Sequence, residues 1–229
     1  MLNETLKIDN FSNDQLFELI FKIVELDKLN SQTEADNFIN YLTCFPAPIR
    51  EAIAYKLEEM IKNYPDFFKS SLAEEKMLNA ITDINPNVSR VMCEIIKNNE
   101  FVSGMLIQSI ITKILDTLSK IKEYEEKNRE FFKNKITNKK NHAKNKLLFS
   151  LYWCLEALSG CDISKYEDNI LKILNCTIDF YDYTIREKTA KLLNKIKNPP
   201  LELLRKATSD QNFYVKIQVY DKMNFEDLN

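Results

Sequence analysis

Apolar residues recur along this chain at steps of three and four, the spacing that places them on one side of an α-helix. Residues 49–60 (IREAIAYKLEEM) and 185–196 (IREKTAKLLNKI) show it most plainly. They share Ile, Arg and Glu at positions 1 to 3, Ala at 6 and Leu at 9, with Met or Ile at 12. Positions 1, 5, 6, 9 and 12 make a single stripe, apolar except at Thr189, so each segment predicts a helix buried along that stripe. Residues 88–99 and 215–226 fit the same frame, with a polar residue at position 12 in both.

The segments upstream match in register too. Eleven residues before the four anchors, Ile49, Val88, Ile185 and Val215, stand Phe38, Met77, Leu174 and Leu204; eight before them stand Tyr41, Ala80, Thr177 and Ala207. Residues three apart share a helix face, so each repeat predicts a helix, a short turn and a second helix, with those upstream residues buried against the anchors. The turns Asp83-Ile84-Asn85-Pro86-Asn87-Val88 and Asp210-Gln211-Asn212-Phe213-Tyr214-Val215-Lys216 resemble the HEAT-repeat turn: an Asp, a polar residue two later, then Val or Ile followed by a base. Residues 182–186 and 46–50 are weaker versions, with Phe180 and Cys44 where the Asp would stand. The resemblance covers residues 33–100 and 165–226 and is one of class. It implies an all-α fold, a superhelical α-solenoid of about five antiparallel helical hairpins, as a single domain over residues 1–229.

Between Val88 and Ile185 the chain is too long for two HEAT-like repeats of about 40 residues each. A fifth anchor at Leu147, with Leu151, Tyr152, Leu155 and Leu158 on the stripe, leaves one irregular middle unit at about 101–160. Met105, Leu106, Ile107, Ile110, Ile111, Ile114, Leu115, Leu118 and Ile121 predict a long helix reaching to about residue 134, followed by a Lys-rich loop at about 135–146. Near the start, residues 13–27 predict a very apolar helix that caps the stack, and Ser31 with Glu34 forms a capping box for the next.

Composition agrees with helices. Only 2 glycines and 6 prolines leave too little turn chemistry for a sandwich, a barrel or a doubly wound sheet. With 32 basic and 34 acidic residues and a formal charge of -2, nucleic-acid binding would have to come from a local patch. Neither a signal peptide nor an apolar run of membrane-spanning length is expected; polar residues such as Gln108, Thr112 and Asp116 interrupt the greasiest stretch. The expected location is cytoplasmic, with no membrane association. The 5 cysteines, odd in number and without CxxC spacing, read as reduced thiols.

Chemistry is sparse. His142 is the single histidine, which leaves no material for a Cys/His dyad, a Ser triad or a His-bearing metal site. Gly104 and Gly160 stand alone, so there is no phosphate-cradling loop. No catalytic residue, cofactor or metal is expected. Arg50, Arg186 and Lys216, just after the anchors, and Asp83, Asp182 and Asp210, just before them, read as structural: they cap helices and bond neighbouring repeats.

Two sets of residues are candidate sites. Position 7 of the second helices holds Tyr55, Glu94, Trp153, Lys191 and Asp221. It points away from the core stripe, toward the face that lines the concave side of a HEAT-like stack, and there Tyr55, Trp153 and Lys191 are candidate contacts for a protein or peptide partner. The second set is the acid-free tract containing Lys139, Lys140, Lys144 and Lys146, a candidate anion site. The functional expectation is a non-catalytic protein- or peptide-binding scaffold. The alternatives are nucleic-acid binding through the lysine tract, and a HEAT-like enzyme related to DNA alkylation-repair glycosylases or bilin lyases, for which no residue here speaks.

Overall fold

Every regular element among the described residues is helical, as the steps of three and four require. The computed structural model describes residues 11–132 and 142–222. They fall in two compact units, Met1–Leu106 and Ile107–Asn229.

The first unit holds α1 (Asn13–Val24), α2 (Gln32–Asn40), α3 (Ala47–Asn63), α4 (Ser71–Ile81) and α5 (Pro86–Asn98). Helix α3 packs on α1 and α5, and α4 packs on α2 and α5. Its core is the predicted stripe: Ile49, Ile53, Ala54, Leu57 and Met60 of α3 have no solvent exposure, and Phe38, Met77, Ala80 and Val88 join them. The helices start where short polar side chains meet bare backbone N–H groups. Ser12 and Gln15 form a reciprocal capping box at α1. Ser31 caps α2 by accepting from the Glu34 N–H, but the Glu34 carboxylate reaches back one residue further than a capping box predicts and accepts from the Asn30 N–H at 2.8 Å.

The division falls inside α6 (Glu100–Phe132), the predicted long helix. Its stretch Glu100–Glu126 is long and apolar enough to cross a membrane by length and composition. Its apolar residues Val102, Leu106, Ile110, Ile111 and Ile114 are nevertheless buried within the fold, while Gln108, Thr112 and Asp116 face solvent. The second unit continues with α7 (His142–Leu158), α8 (Glu167–Thr177), α9 (Tyr183–Asn194), α10 (Leu201–Thr208) and α11 (Phe213–Ile217). Helix α9 packs on α7, α8, α10 and α11.

Several details differ from the sequence reading. At α10 the buried leucine is Leu203, with Leu204 half-buried. Leu147 and Tyr152 are half-buried although Leu151, Leu155 and Leu158 sit in the core; Cys154 takes the place expected of Tyr152. Tyr220, in register with Ala54 and Ala190, is exposed, because the helix there has already given way to a 3-10 turn. Lys144 and Lys146 lie on α7 rather than in a loop. With no Gly or Pro in the tract, and with Ala143, Lys144 and Lys146 all good helix formers, the helix extends back through them.

Candidate partner-binding surfaces

The second helix of each repeat is aimed by its turn. Three residues before the anchor, Asn85, Asp182 and Asn212 are N-caps, each accepting from the N–H two residues on at 2.8 to 2.9 Å. Pro46, at the same place before α3, offers no side-chain cap.

In two places an arginine then ties one turn to the next. Arg50 Nη1 donates to the Cys44 and Phe45 carbonyls of its own turn, while Nε and Nη2 donate to the two carboxylate oxygens of Asp83, at 2.6 and 2.9 Å. Arg186 repeats the arrangement in the second unit, with the Phe180 and Tyr181 carbonyls on one side and Asp210 on the other at 2.6 and 3.1 Å. Asp83 and Asp210 each also accept from the N–H two residues later. These carboxylates are therefore structural, and they serve as links between repeats more than as caps.

Position 7 lies where the periodicity placed it in the first unit. Tyr55 is 57% exposed, and its hydroxyl accepts from Arg90 Nη2 of α5 at 3.3 Å. One turn before it, Glu51 Oε1 bonds the side-chain amides of Asn85 and Asn87. The α3–α5 face is thus joined by polar contacts that include Tyr55, and Glu94 of α5 is exposed.

In the second unit Trp153 and Lys191 at this position are more enclosed, while Asp221 is exposed. Trp153 is half-buried, its ring edge-on to Phe149 at 6.1 Å and to Tyr152 at 5.1 Å. Lys191 Nζ sits 2.6 Å from Glu156 Oε1, and Lys188 Nζ 3.2 Å from Oε2. Lys188, buried over the Tyr152 ring, is the less obvious member. Burial pushes its ammonium down, but the charges of Glu156, Tyr152 and Glu187 and the hydrogen bond to Glu156 together outweigh that and hold it well above the usual lysine range. For Glu156, burial would raise the carboxyl; the hydrogen bond from Lys191 and the charge of Lys188 bring it below its ordinary value. Lys191 is thus committed first to a neighbouring helix. Lys195 Nζ bonds the Ser159 and Cys161 carbonyls, both at 2.7 Å, and so places a cation at the C-terminal end of α7.

The lysine tract divides. Lys139 and Lys140 lie outside the described residues. Lys144 Nζ is 3.2 Å from Glu125 Oε1 and 4.3 Å from the centre of the Tyr181 ring. Burial lowers its ammonium, and the bonds to Tyr181 and Glu125 raise it by more. Lys146 is exposed. Among the described residues no group of three or more His, Cys, Asp or Glu side chains could hold a metal ion.

Sequence reasoning missed a second exposed apolar set, at the turns. Phe45 is 85% and Ile84 88% exposed, and Tyr181, Tyr183, Phe213 and Tyr214 are exposed in the second unit. Phe45, Ile84 and Tyr181 all stand four residues before their anchors, a regularity visible in the aligned repeats. The arginine clamps hold two of the three by their own carbonyls.

No protein-family model matches this chain, and no curated protein matches it.

Proposed function

We propose that the chain is a non-catalytic, cytoplasmic scaffold that binds a protein or peptide, each compact unit being a stretch of HEAT-like solenoid whose second helices form the recognition face. The recurrence of the Arg–Asp clamp carries this reading. The same bidentate contact, made from position 2 of one repeat to the turn before the next in both units, is what stacked copies of one hairpin require. Second helices lying against one another, α3 on α5 and α9 on both α7 and α11, agree with it. Repeat stacks present extended surfaces suited to long partners. Tyr55 is the contact residue in the first unit, and the half-buried Trp153 in the second.

The test is capture of partners from a native lysate by the purified chain, followed by affinity measurement on what is captured. Tyr55→Ala should weaken binding by about 1 kcal/mol or more, the level of an interface anchor, with folding stability unchanged. Retention of full affinity by both Tyr55→Ala and Trp153→Ala would reject this face.

A further inference from the structure

Helix α1 carries two apolar faces, and among the described residues only one is covered. Leu19 and Ile23 are buried, and α1 packs on α3. Phe17, Phe21 and Val24 are 71%, 66% and 53% exposed. Their spacing of four and then three makes a continuous stripe, the form that a partner helix packs against. Scattered apolar surface residues are ordinary, whereas two phenylalanines and a valine aligned on one helix form a contiguous apolar patch of the kind that calls for an explanation.

Charge decides what covers it. Successive helical residues turn by about 100°, which puts Asp14, Glu18 and Glu25 together along one border of the stripe. The other border is Asn13 and the half-buried Ile20. Lys22 lies beyond the acidic border, paired with Glu18 at 2.6 Å. A second copy of the chain is poorly matched. Antiparallel two-fold pairing sets each border against its own copy, acid on acid, and parallel pairing sets the acids against the uncharged border. A bilayer surface, usually anionic, repels the same border.

We propose that this stripe of α1 docks a basic amphipathic helix of another protein: apolar residues at three-and-four spacing on Phe17, Phe21 and Val24, and Lys or Arg along the Asp14, Glu18 and Glu25 border. Two phenylalanines and a valine form a small contact, at the weak, transient end of the range of interface sizes. The inference stands on α1 alone and does not depend on the second-helix face.

The experiment is fluorescence anisotropy with the full chain and a labelled helical peptide bearing leucines at that spacing and lysines on one border, against a twin with glutamates in their place. The basic peptide should bind at micromolar concentration and weaken as salt rises; the acidic twin should not bind. Phe21→Ala should weaken binding at least tenfold, and Asp14→Asn/Glu18→Gln/Glu25→Gln should remove its salt dependence, both with an unchanged thermal midpoint. Equal binding of the twin, binding indifferent to Phe21→Ala, or no binding at all would overturn the proposal. Self-association abolished by Phe21→Ala in sedimentation would assign the face to a second copy, and a Phe21→Cys thiol shielded from maleimide in the monomer would assign it to the chain itself. Either overturns it.

Discussion

Arg50 holds Asp83 with two parallel hydrogen bonds across 33 residues of sequence, and both side chains are more than nine-tenths buried. The pairing follows a rule inside the chain. An Asp stands five residues before Val88 and Val215, where the preceding repeat offers Arg50 or Arg186 at position 2. Cys44 precedes the first repeat, and Phe180 follows a repeat with Leu148 at position 2. The turns that lack this Asp are therefore places where the carboxylate would have no arginine to meet.

Removing one member of a buried pair leaves the other charge uncompensated, at a cost of about 3 kcal/mol or more. Asp83→Ala should reach that level, beyond the loss of a helix cap alone. Urea unfolding of Arg50→Ala, Asp83→Ala and the double variant should give a double variant well short of the sum. Additive losses would mean that the two residues act independently.

The second clamp should be visible in acid. The hydrogen bond from Arg186 comes first among the causes that hold the Asp210 carboxyl below its ordinary value of 3.8. A carboxyl depressed in the folded state stabilises fully above its unfolded value and loses that stabilisation as pH falls through the folded one. The stability gap between the wild type and Asp210→Asn should be constant above pH 3.8 and close below it. Denaturant midpoints across that range measure it.

Thiol reactivity should sort by burial. Burial pushes the Cys154 thiol up to about 12 and Cys161 to about 11, which leaves almost no thiolate at neutral pH. Cys176 is exposed. Maleimide followed by intact-mass spectrometry should modify Cys176 first, and Cys154 and Cys161 only once the chain is unfolded.

Lys144 and Lys146 should behave differently although two residues apart. Lys144→Gln gives up the contacts with Glu125 and Tyr181 and should lower the folding stability slightly, by about a few tenths of a kcal/mol, and with it the thermal midpoint. Lys146→Gln should leave it unchanged, and neither should alter retention on a phosphate-bearing resin. Loss of salt-sensitive retention in Lys146→Gln would instead support an anion site.

Tyr55→Ala removes a mostly exposed ring and should change stability by less than about 0.5 kcal/mol. Trp153→Ala takes away a half-buried ring packed against Phe149 and Tyr152 and should cost about 1 to 3 kcal/mol, short of the 3 to 5 of a core tryptophan. Calorimetry on both variants separates the two environments.

The sequence by itself determined that the elements are helices and most of their buried sides, because those follow from local spacing, from caps within three residues and from the near absence of glycine; α7, which starts inside the tract read as a loop, and α10, whose buried leucine is Leu203, are exceptions. It also marked Arg50, Arg186, Asp83 and Asp210 as members of the turns. What only the tertiary structure decided was pairing between residues far apart in the chain. Lys191 became a partner of Glu156, Lys144 a partner of Glu125, and Trp153 settled between core and solvent, since each outcome depends on which side chains neighbouring helices bring within about 4 Å, a distance that periodicity along one helix does not encode. The outward stripe of α1 shows the same division. Eight large apolar residues between Leu16 and Leu26 announce a helix that is apolar over more than one face, and only packing against α3 reveals which of them is left for something else to cover.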